Sequence, residues 1–206
     1  MSRTARRYGP ATFPAIEALA VTMKLAALST KIRTEFPLSR QARTPHPKPA
    51  AVLVPLFDRE GLVHVLMIRR ALHLNAHAGE IAFPGGGPEA EDADLLATAL
   101  RETEEEVGCR IDPAAVIGCL KPVTTRTGFR VWPYVAALPT GLSARANSEE
   151  VLEILCIPLV PLFRTYEPDS RFDKAAAMPV YHFDGHRIWG ASARALRQLD
   201  SLIRPI

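Results

Sequence analysis

A proline- and glycine-rich turn followed at once by an acidic, amphipathic stretch constrains this chain more than any other feature. The turn, Phe83-Pro84-Gly85-Gly86-Gly87-Pro88, cannot be helical, because proline removes an amide donor and glycine costs backbone entropy. Apolar positions then recur at three- and four-residue steps, which predicts a helix. These positions are Leu96, Ala99, Leu100, Thr103 and Val107. Asp92 or Asp94 offers the N-cap of this helix, and Gly108 supplies the left-handed residue that ends it.

Three glutamates lie beside the apolar stripe of the predicted helix. Glu102, Glu105 and Glu106 are spaced i, i+3 and i+4, so their carboxylates are predicted to converge over one turn. Like charges this close destabilise a helix unless something neutralises them. Mg²⁺ does so, typically binding a few carboxylates, several waters and the oxygens of a substrate phosphate. The alternative is a solvated acidic face, but the preceding glycines, which let backbone approach a ligand closely, favour a metal site.

The same residues resemble the Nudix box. The segment from Arg101 to Cys109 is similar to the second half of that box, Arg-Glu-apolar-x-Glu-Glu-x-Gly-apolar. The usual first half has Gly, five residues, Glu and seven residues before the arginine, which puts the Glu position at Ala93 and the Gly position at Gly87. Read from Gly86 instead, the turn is one residue longer than usual. Two carboxylates could then stand near the missing one: Glu91 and Asp92.

A second resemblance lies upstream and is narrower. The coenzyme A pyrophosphatase branch of the Nudix hydrolases carries Leu-Leu-Thr-x-Arg-Ser/Ala-x3-Arg-x3-Gly-x3-Phe-Pro-Gly-Gly before its box. The residues that match at the same spacing are Leu66, Arg70, Ala71, Gly79 and the Phe83-Pro84-Gly85-Gly86 run. Met67, Ile68 and Asn75 stand where the motif has Leu, Thr and Arg. The resemblance spans roughly residues 50–200 and implies the α/β class, with a Nudix-type α/β/α sandwich and a mixed sheet.

What the resemblance implies about function is a diphosphate hydrolase that depends on Mg²⁺ or Mn²⁺. Its substrate would be coenzyme A or a thioester of it, cleaved to 3′,5′-ADP and 4′-phosphopantetheine or its acyl form. Glu102, Glu105 and Glu106 would hold the metal against the diphosphate oxygens. The catalytic residues would be Glu150, Glu102 and Glu105, with Glu150 the first candidate for the base that accepts the proton of the attacking water and Glu102 the second.

The expected substrate contacts lie on both sides of the box. Arg70 and Arg126 are candidates to bind phosphate in a bidentate manner, as a planar guanidinium does well. Gly85 and Gly86 are expected to bring backbone close to the substrate. Arg101 is expected to brace the helix by ion pairing instead.

Two other functions stay open. The first is a Nudix hydrolase of another nucleoside diphosphate derivative, such as ADP-ribose, because Asn75 replaces an arginine of the narrower motif. The second is a catalytically inactive Nudix domain used for binding or regulation, which Ala93 and the basic N-terminus suggest. The intact glutamates of the box favour an enzyme over that second reading.

Composition excludes several broader classes. A chain of 206 residues, 48% of them apolar, can bury one good core. Its net charge of +3 is partly due to arginines near the N-terminus, and nucleic-acid binding does not follow from it. Three cysteines without a CxxC pair indicate a reducing compartment, so we expect a cytoplasmic protein. Glu17 and Lys24 interrupt the only apolar N-terminal run, so no association with a membrane is expected.

Pattern and proline placement divide the chain into two regions. Residues 1–49 are predicted to be an N-terminal extension, with a loose segment, a helix from about Ile16 to Phe36 and a proline-rich connector. The apolar side of that helix, including Ala26, Ala27 and Ile32, should pack against the main domain or a second subunit, as in a homodimer. Residues 50–206 are predicted to be the Nudix domain. Its strands are predicted at Ala50–Phe57, Val63–Arg69, Ala115–Leu120, Val131–Leu138 and Val151–Ile157, with a short helix after Pro158, a hairpin turn at Asp184-Gly185 and a helix over Ala191–Arg204.

Overall fold

The computed structural model describes residues 24–44, 46–74, 77–138, 144–169 and 178–204. The predicted loose N-terminal segment, the first part of the first predicted helix and Asn75 lie outside these ranges. The α-helices in the described ranges are α1 (Leu25–Glu35), α2 (Leu95–Val107), α3 (Leu159–Arg164) and α4 (Gly190–Ile203). Of these described helices, none combines the length and apolar character needed to cross a membrane.

The strands follow the predicted order, with several very short ones added. They are β1 (Pro49–Arg59), β2 (Leu62–Arg70), β3 (Ile81–Ala82), β4 (Gly85–Gly86), β5 (Val116–Cys119), β6 (Val123–Thr124), β7 (Arg130–Leu138), β8 (Val151–Pro158), β9 (Glu167–Pro168), β10 (Pro179–Phe183) and β11 (His186–Ile188). All five predicted strands are confirmed, with ends that differ by at most a few residues. The two-residue strands were not predicted, because segments this short carry no alternation that a pattern could detect.

The main sheet is mixed. Its strands are ordered β3-β2-β1-β7-β5, while β4 pairs with β1, β6 with β7 and β8 with β2. The β1–β7 pair is parallel, whereas β1–β2, β2–β8 and β5–β7 are antiparallel. Strands β9, β10 and β11 form a separate small sheet, in which β10 and β11 flank the predicted turn at Asp184-Gly185.

Both faces of the main sheet are covered by helices. Along β1, Leu53 and Phe57 belong to one buried cluster together with residues of α2. Val54 and Leu56 belong to the other cluster, together with residues of α1, α3 and α4. Because successive side chains of a strand point to opposite faces, helices sandwich the sheet. The α/β class and the predicted α/β/α sandwich with a mixed sheet are confirmed.

Helix α1 packs on the same core as α4. Leu28 and Ile32 are fully buried there, and α1 contacts α4 and β5. The prediction that Ala26 and Ala27 lie on its apolar side was wrong, since both are exposed. The buried stripe is set by the larger side chains, which remove more apolar area from water.

The segment after α1, residues 37–44, crosses the start of α2 and precedes the proline-rich stretch 45–49. From here on, the name connector refers to residues 37–44 alone. The Leu95 amide of α2 donates a hydrogen bond to the Gln41 carbonyl oxygen over 2.9 Å. The Arg40 Nε donates to the Asp94 carboxylate over 2.5 Å. The Arg43 guanidinium donates to the backbone carbonyls of Glu89 and Ala90. The connector therefore fixes the loop that leads into α2, while the domain boundary at residue 49 stays a prediction.

Candidate active site

Local hydrogen bonds set the ends of α2. Of the two predicted N-caps, Asp94 takes the role, since its Oδ1 accepts from the Ala97 amide over 2.9 Å. Gly108 ends the helix with φ at 61°, a left-handed conformation that glycine adopts at little cost. Four of the five predicted apolar positions are buried, and Leu100 is half-buried. The helix is therefore held at both ends, and its remaining side carries the glutamates.

Asp92 is the partner of Arg101. The Arg101 Nε and Nη2 donate to the two carboxylate oxygens of Asp92 over 3.1 Å each. Burial alone would raise the pKa of Asp92, but hydrogen bonds from Arg101, the Glu89 amide and the Thr98 hydroxyl outweigh it and lower the pKa. Asp92 thus stands in for the carboxylate that Ala93 lacks. The prediction that Arg101 braces the helix by ion pairing is confirmed.

The other donors of Arg101 join the loop to the box glutamates. Its Nη2 donates to the Gly87 carbonyl oxygen over 3.1 Å and lies 3.1 Å from the Glu102 Oε1. Its Nη1 donates to the Glu105 Oε2 over 3.0 Å. Its Nη1 also lies 3.6 Å from the Glu89 Oε1. One guanidinium therefore contacts four carboxylates and a loop carbonyl, which fixes the position of the loop against the helix.

Gly85 and Gly86 form β4, so the predicted turn contains a short extended pair. They pair with Val52 and Ala51 of β1, respectively. A methyl group at Gly85 would overlap the Ala51 carbonyl oxygen, and one at Gly86 would overlap the Glu102 carboxylate. Gly85 is thus required for close approach to the β1 backbone, whereas a side chain at Gly86 would displace the Glu102 carboxylate. Their contact with a substrate stays a prediction.

Glu106 has the most buried of the three box carboxylates. Its residue is 5% exposed, and its Oε2 accepts from the Gly85 amide over 2.9 Å. Burial raises the pKa of Glu106 to about 7, and the nearby charges of Glu102 and Glu150 act in the same direction. The Gly85 amide and the Arg70 guanidinium oppose this rise without cancelling it. The positive charge near Glu106 therefore neutralises its buried carboxylate only in part.

Arg70 brings Glu150 to the box helix. Its Nη1 lies 3.7 Å from the Glu106 Oε1, and its Nη2 donates to the Glu150 Oε2 over 3.2 Å. The Glu150 carbonyl oxygen also accepts from the Ala71 amide over 2.7 Å. The side chain of Glu150 is 56% exposed, so it faces solvent at the edge of the site. The structure thus brings Arg70, Glu106 and Glu150 together, and their predicted roles stay predictions.

Glu102 and Glu105 differ in exposure. Their side chains are 19% and 54% exposed. Burial raises the pKa of Glu102; Arg101 opposes this, and the charges of Glu105 and Glu150 add to it. Within the described parts of the chain, no three His, Cys, Asp or Glu side chains are close enough together to hold a metal ion. Arg101 forms ion pairs with both Glu102 and Glu105. The roles of these two glutamates as metal ligands stay predictions.

Arg126 lies apart from the box helix along the chain. It is exposed on the turn between β6 and β7, next to Thr127, whose carbonyl oxygen accepts from the Lys48 ammonium over 3.2 Å. Because β1 and β7 are parallel, this turn lies at the end of the sheet where β1 begins. Its predicted contact with phosphate stays a prediction.

Sequence reasoning missed the contribution of the connector. Arg43 hydrogen-bonds loop carbonyls 46 and 47 positions further along the chain, and Gln41 accepts from the first residue of α2. No periodicity links partners that far apart, and only covariation between such positions could have found them. Asp92, by contrast, could be found by counting the spacing of the box.

Comparisons with known proteins agree with this site. The family model described as the NUDIX domain matches residues 47–170. The chain is 38% identical over 163 residues to a protein of Salmonella dublin named Uncharacterized Nudix hydrolase NudL, covering 76% of this chain and 83% of that one. It is 39% identical over 156 residues to the protein of the same name from Salmonella newport, covering 73% and 80%.

A solved structure shares the fold. A MutT/nudix family protein from Enterococcus faecalis superposes with a TM-score of 0.53 at 15% identity, covering 87% of this chain and 68% of that one. At that identity the likeness concerns the fold alone. The matched family model and the relatives in Salmonella instead concern the sequence, and the match includes the turn, the box helix and Glu150. The chain belongs to the Nudix hydrolases, enzymes that act on small-molecule nucleoside diphosphate derivatives and generally use divalent metal ions.

Proposed function

We propose that this chain hydrolyses the diphosphate of coenzyme A or its thioesters, giving 3′,5′-ADP and 4′-phosphopantetheine or its acyl form. One observation carries the proposal. Arg70, a residue of the upstream motif that resembles the coenzyme A branch, contacts both Glu106 and Glu150. A residue of the substrate-specific motif therefore lies against Glu106, a carboxylate of the general hydrolase motif, and against Glu150, the candidate base.

The carboxylates at this site suit a hard divalent cation in their chemistry. Mg²⁺ and Mn²⁺ favour carboxylate oxygens, and Glu106 is a buried carboxylate whose nearest cationic nitrogen is 3.7 Å away. A cation would satisfy the negative charge that Glu106 shares with its neighbours. Glu102, Glu105 and Glu106 would hold it. When bound, such an ion stabilises charge on phosphate oxygens and lowers the pKa of a coordinated water.

Glu150 is the base in the proposed reaction. Its exposed carboxylate can accept the proton of a water that attacks the diphosphate, and its hydrogen bond from Arg70 fixes its direction. The pKa of Glu106 is already raised by burial and by the neighbouring carboxylates. Glu106 is therefore less readily ionised when a carboxylate beside it carries a charge. Glu102 is the second candidate for the base, and Glu105 completes the acidic face.

Arg70 supplies positive charge to the diphosphate. Its two terminal nitrogens lie between Glu106 and Glu150, and a guanidinium can donate to two phosphate oxygens at once. Gly85 and Gly86 would border the same phosphates, and Arg126 would reach them from the β6–β7 turn. Lysine keeps the charge of Arg70 but not the planar fork, so it should replace it poorly.

The cellular setting is part of the same proposal. All three cysteines are free thiols, which fits a reducing, cytoplasmic compartment. Coenzyme A carries a thiol that would exchange with exposed disulfides. Because its three cysteines are all free, this chain contains no disulfide that could take part in such an exchange.

Product analysis in ¹⁸O-labelled water tests the proposal. The full chain is incubated with Mg²⁺ or Mn²⁺ and with coenzyme A, acetyl coenzyme A or ADP-ribose, and the products are identified by mass spectrometry. We expect 3′,5′-ADP from coenzyme A and its thioester, with the label in the product whose phosphorus was attacked. Turnover of ADP-ribose alone would favour the other nucleoside diphosphate activity. Turnover of none would favour a binding or regulatory domain.

A further inference from the structure

A cleft lined by residues of α1, the connector, β7 and the segment after β5 takes no part in the chemistry above. It has a volume of about 460 Å³ and separates the connector from the segment between β5 and β6. Its apolar lining includes Phe36 and Trp132, and its charged lining consists of Glu35, Lys121 and Arg130. Cations therefore outnumber anions around an aromatic wall.

The Trp132 wall of this cleft lies on the face of the sheet that carries the box helix, while Phe36 and Leu120 belong to the opposite cluster. Gly86 pairs with Ala51, and Ala51 pairs with Trp132 on its other side, so these residues form one row across three strands. Residues directly opposite each other share a face; Glu102 lies over Gly86, and Ala51 and Trp132 pack in the α2 cluster. Two strand spacings put Trp132 about 10 Å from Gly86, a separation that one nucleoside can span.

The two cations of the cleft are held but not neutralised. Gln198 hydrogen-bonds the backbone N–H and carbonyl of Lys121, over 2.8 and 3.1 Å, and Lys121 is an exposed residue of the cleft lining. The Arg130 guanidinium lies 5.3 Å from the centre of the Trp132 ring. Among the residues that the structure describes, neither cation forms an ion pair. A bound anion would be their first charged partner.

The geometry points to this cleft as the site for the nucleotide end of the substrate, with Lys121 and Arg130 binding a phosphomonoester on its ribose. This inference rests on the proposed function, in which the diphosphate lies at the box helix. Coenzyme A carries such a phosphate, at the 3′ position of the nucleoside adjoining the diphosphate. ADP-ribose and 3′-dephospho-coenzyme A lack it. Lys121 and Arg130 thus select among diphosphates that the box would treat alike.

The cleft suits this end of the molecule better than the other. The pantetheine arm carries amides and a thiol but neither a phosphomonoester nor an aromatic ring, so it would leave Lys121 and Arg130 unpaired. A nucleotide supplies both the dianion that the cations require and a flat base that can pack against apolar walls. Glu35 carries the one negative charge of the lining and would face the ribose hydroxyls or the base.

Equilibrium binding of a product tests the inference without any turnover. The probe is 3′,5′-ADP, which has no diphosphate bond to cleave, and its comparison is 5′-AMP. Both are titrated by calorimetry into the full-length protein with Mg²⁺. The wild type should bind 3′,5′-ADP roughly tenfold or more tightly than 5′-AMP, in the range for a charge-assisted contact. Lys121→Gln and Arg130→Gln should each reduce this ratio several-fold, while Arg130→Lys should keep most of it.

Arg110→Gln is the matched control, since it removes an exposed arginine outside the cleft and should leave the ratio unchanged. Thermal melts establish that each variant is folded. Equal affinities of the wild type for the two nucleotides would overturn the inference, as would variants that keep the full ratio. If coenzyme A is not hydrolysed but the ratio is found and then lost in both variants, the cleft assignment stands and the proposed reaction fails.

Discussion

Two buried carboxylates in this protein, Glu106 and Asp200, are neutralised to very different extents. The carboxylate of Asp200 on α4 is fully buried and receives hydrogen bonds from Arg204 at 2.6 and 2.7 Å. Arg197 donates to it over 2.8 Å, and the Tyr181 hydroxyl over 3.3 Å. Glu106 receives one backbone amide, and its nearest cation is 3.7 Å away.

The difference separates a structural acid from one that can bind a ligand. Among the described residues, Asp200 has two arginines and no carboxylate as contacts, so an added cation would gain little there. Glu106 lies close enough to Glu102 and Glu150 that their charges raise its pKa, so it gains from one. Under-neutralised buried carboxylates are typical of functional sites, and the contrast lets each cluster serve as a control for the other.

The largest expected effect is the loss of turnover on neutralising Glu106. Glu106→Gln keeps the shape of the side chain but removes the charge, so coenzyme A hydrolysis with Mg²⁺ should fall by roughly a thousandfold or more, as when an electrostatic contact to a transition state is lost. Glu104→Gln is the matched control, because Glu104 is exposed on the same helix and should stay within a few-fold of wild type. Equal losses in the two variants would show that the wrong face of α2 is assigned.

The corresponding change at Asp200 should affect stability instead. Asp200→Asn leaves two arginines facing an uncharged amide, and breaking a buried ion pair typically costs about 3–5 kcal/mol. Both arginine side chains are nearly half exposed, at 44% and 46%, so we expect the low end of that range in urea unfolding. Turnover per folded molecule should be unchanged. A variant of normal stability with reduced turnover would contradict the contrast between the two clusters.

The pH dependence of stability should reveal the raised pKa of Glu106. Between pH 4.5 and about 7, the unfolded chain loses the Glu106 proton while the folded protein keeps it, so the free energy of unfolding falls as pH rises. At about 1.4 kcal/mol for each pH unit, this decline is at most about 3.5 kcal/mol. It should be measured with a chelator present and should disappear in Glu106→Gln. Parallel curves for the two proteins would show that Glu106 does not titrate in this window.

The smallest expected effect concerns the base. Glu150→Gln should lower kcat about a hundredfold, the lower range for general base catalysis, with little change in metal affinity. The loss should shrink at high pH, where hydroxide replaces the assisted water. Glu149→Gln, at the neighbouring exposed position, is the control. A Glu150→Gln variant with normal kcat would return the role to Glu102, and one with weakened metal binding would make Glu150 a ligand.

The sequence predicts most of the fold because its signals are local. The apolar runs of β1 and β2, the Asp184-Gly185 turn and the cap at Gly108 each depend on a few neighbouring residues, and all lie where expected. The site is harder to predict, because Asp92 and Asp94 are equally good caps in sequence. The position of Arg101 in the structure makes Asp92 its hydrogen-bond partner, and Asp94 then serves as the N-cap of α2.

Packing decides what local patterns leave open. Gly85 and Gly86 form a strand despite the low β-propensity of glycine, because β1 and the Glu102 side chain approach where any larger residue would overlap them. For a similar reason, the buried positions of α1 include those of Leu28 and Ile32, and the smaller Ala26 and Ala27 are exposed. Such contacts depend on tertiary neighbours, which single-sequence periodicity cannot supply.

The connector gives the first turn of α2 an unusual dependence on a distant part of the chain. The first amides of a helix have no partner within the helix, and the first one here, that of Leu95, donates to the carbonyl of Gln41, beside an ion pair that spans 54 positions. Local opening of the connector would expose this amide to solvent exchange without unfolding the helix. Hydrogen exchange at Leu95 therefore reports the docking of the connector, and a chain cut just before β1 would lose that protection at the helix that carries the box glutamates.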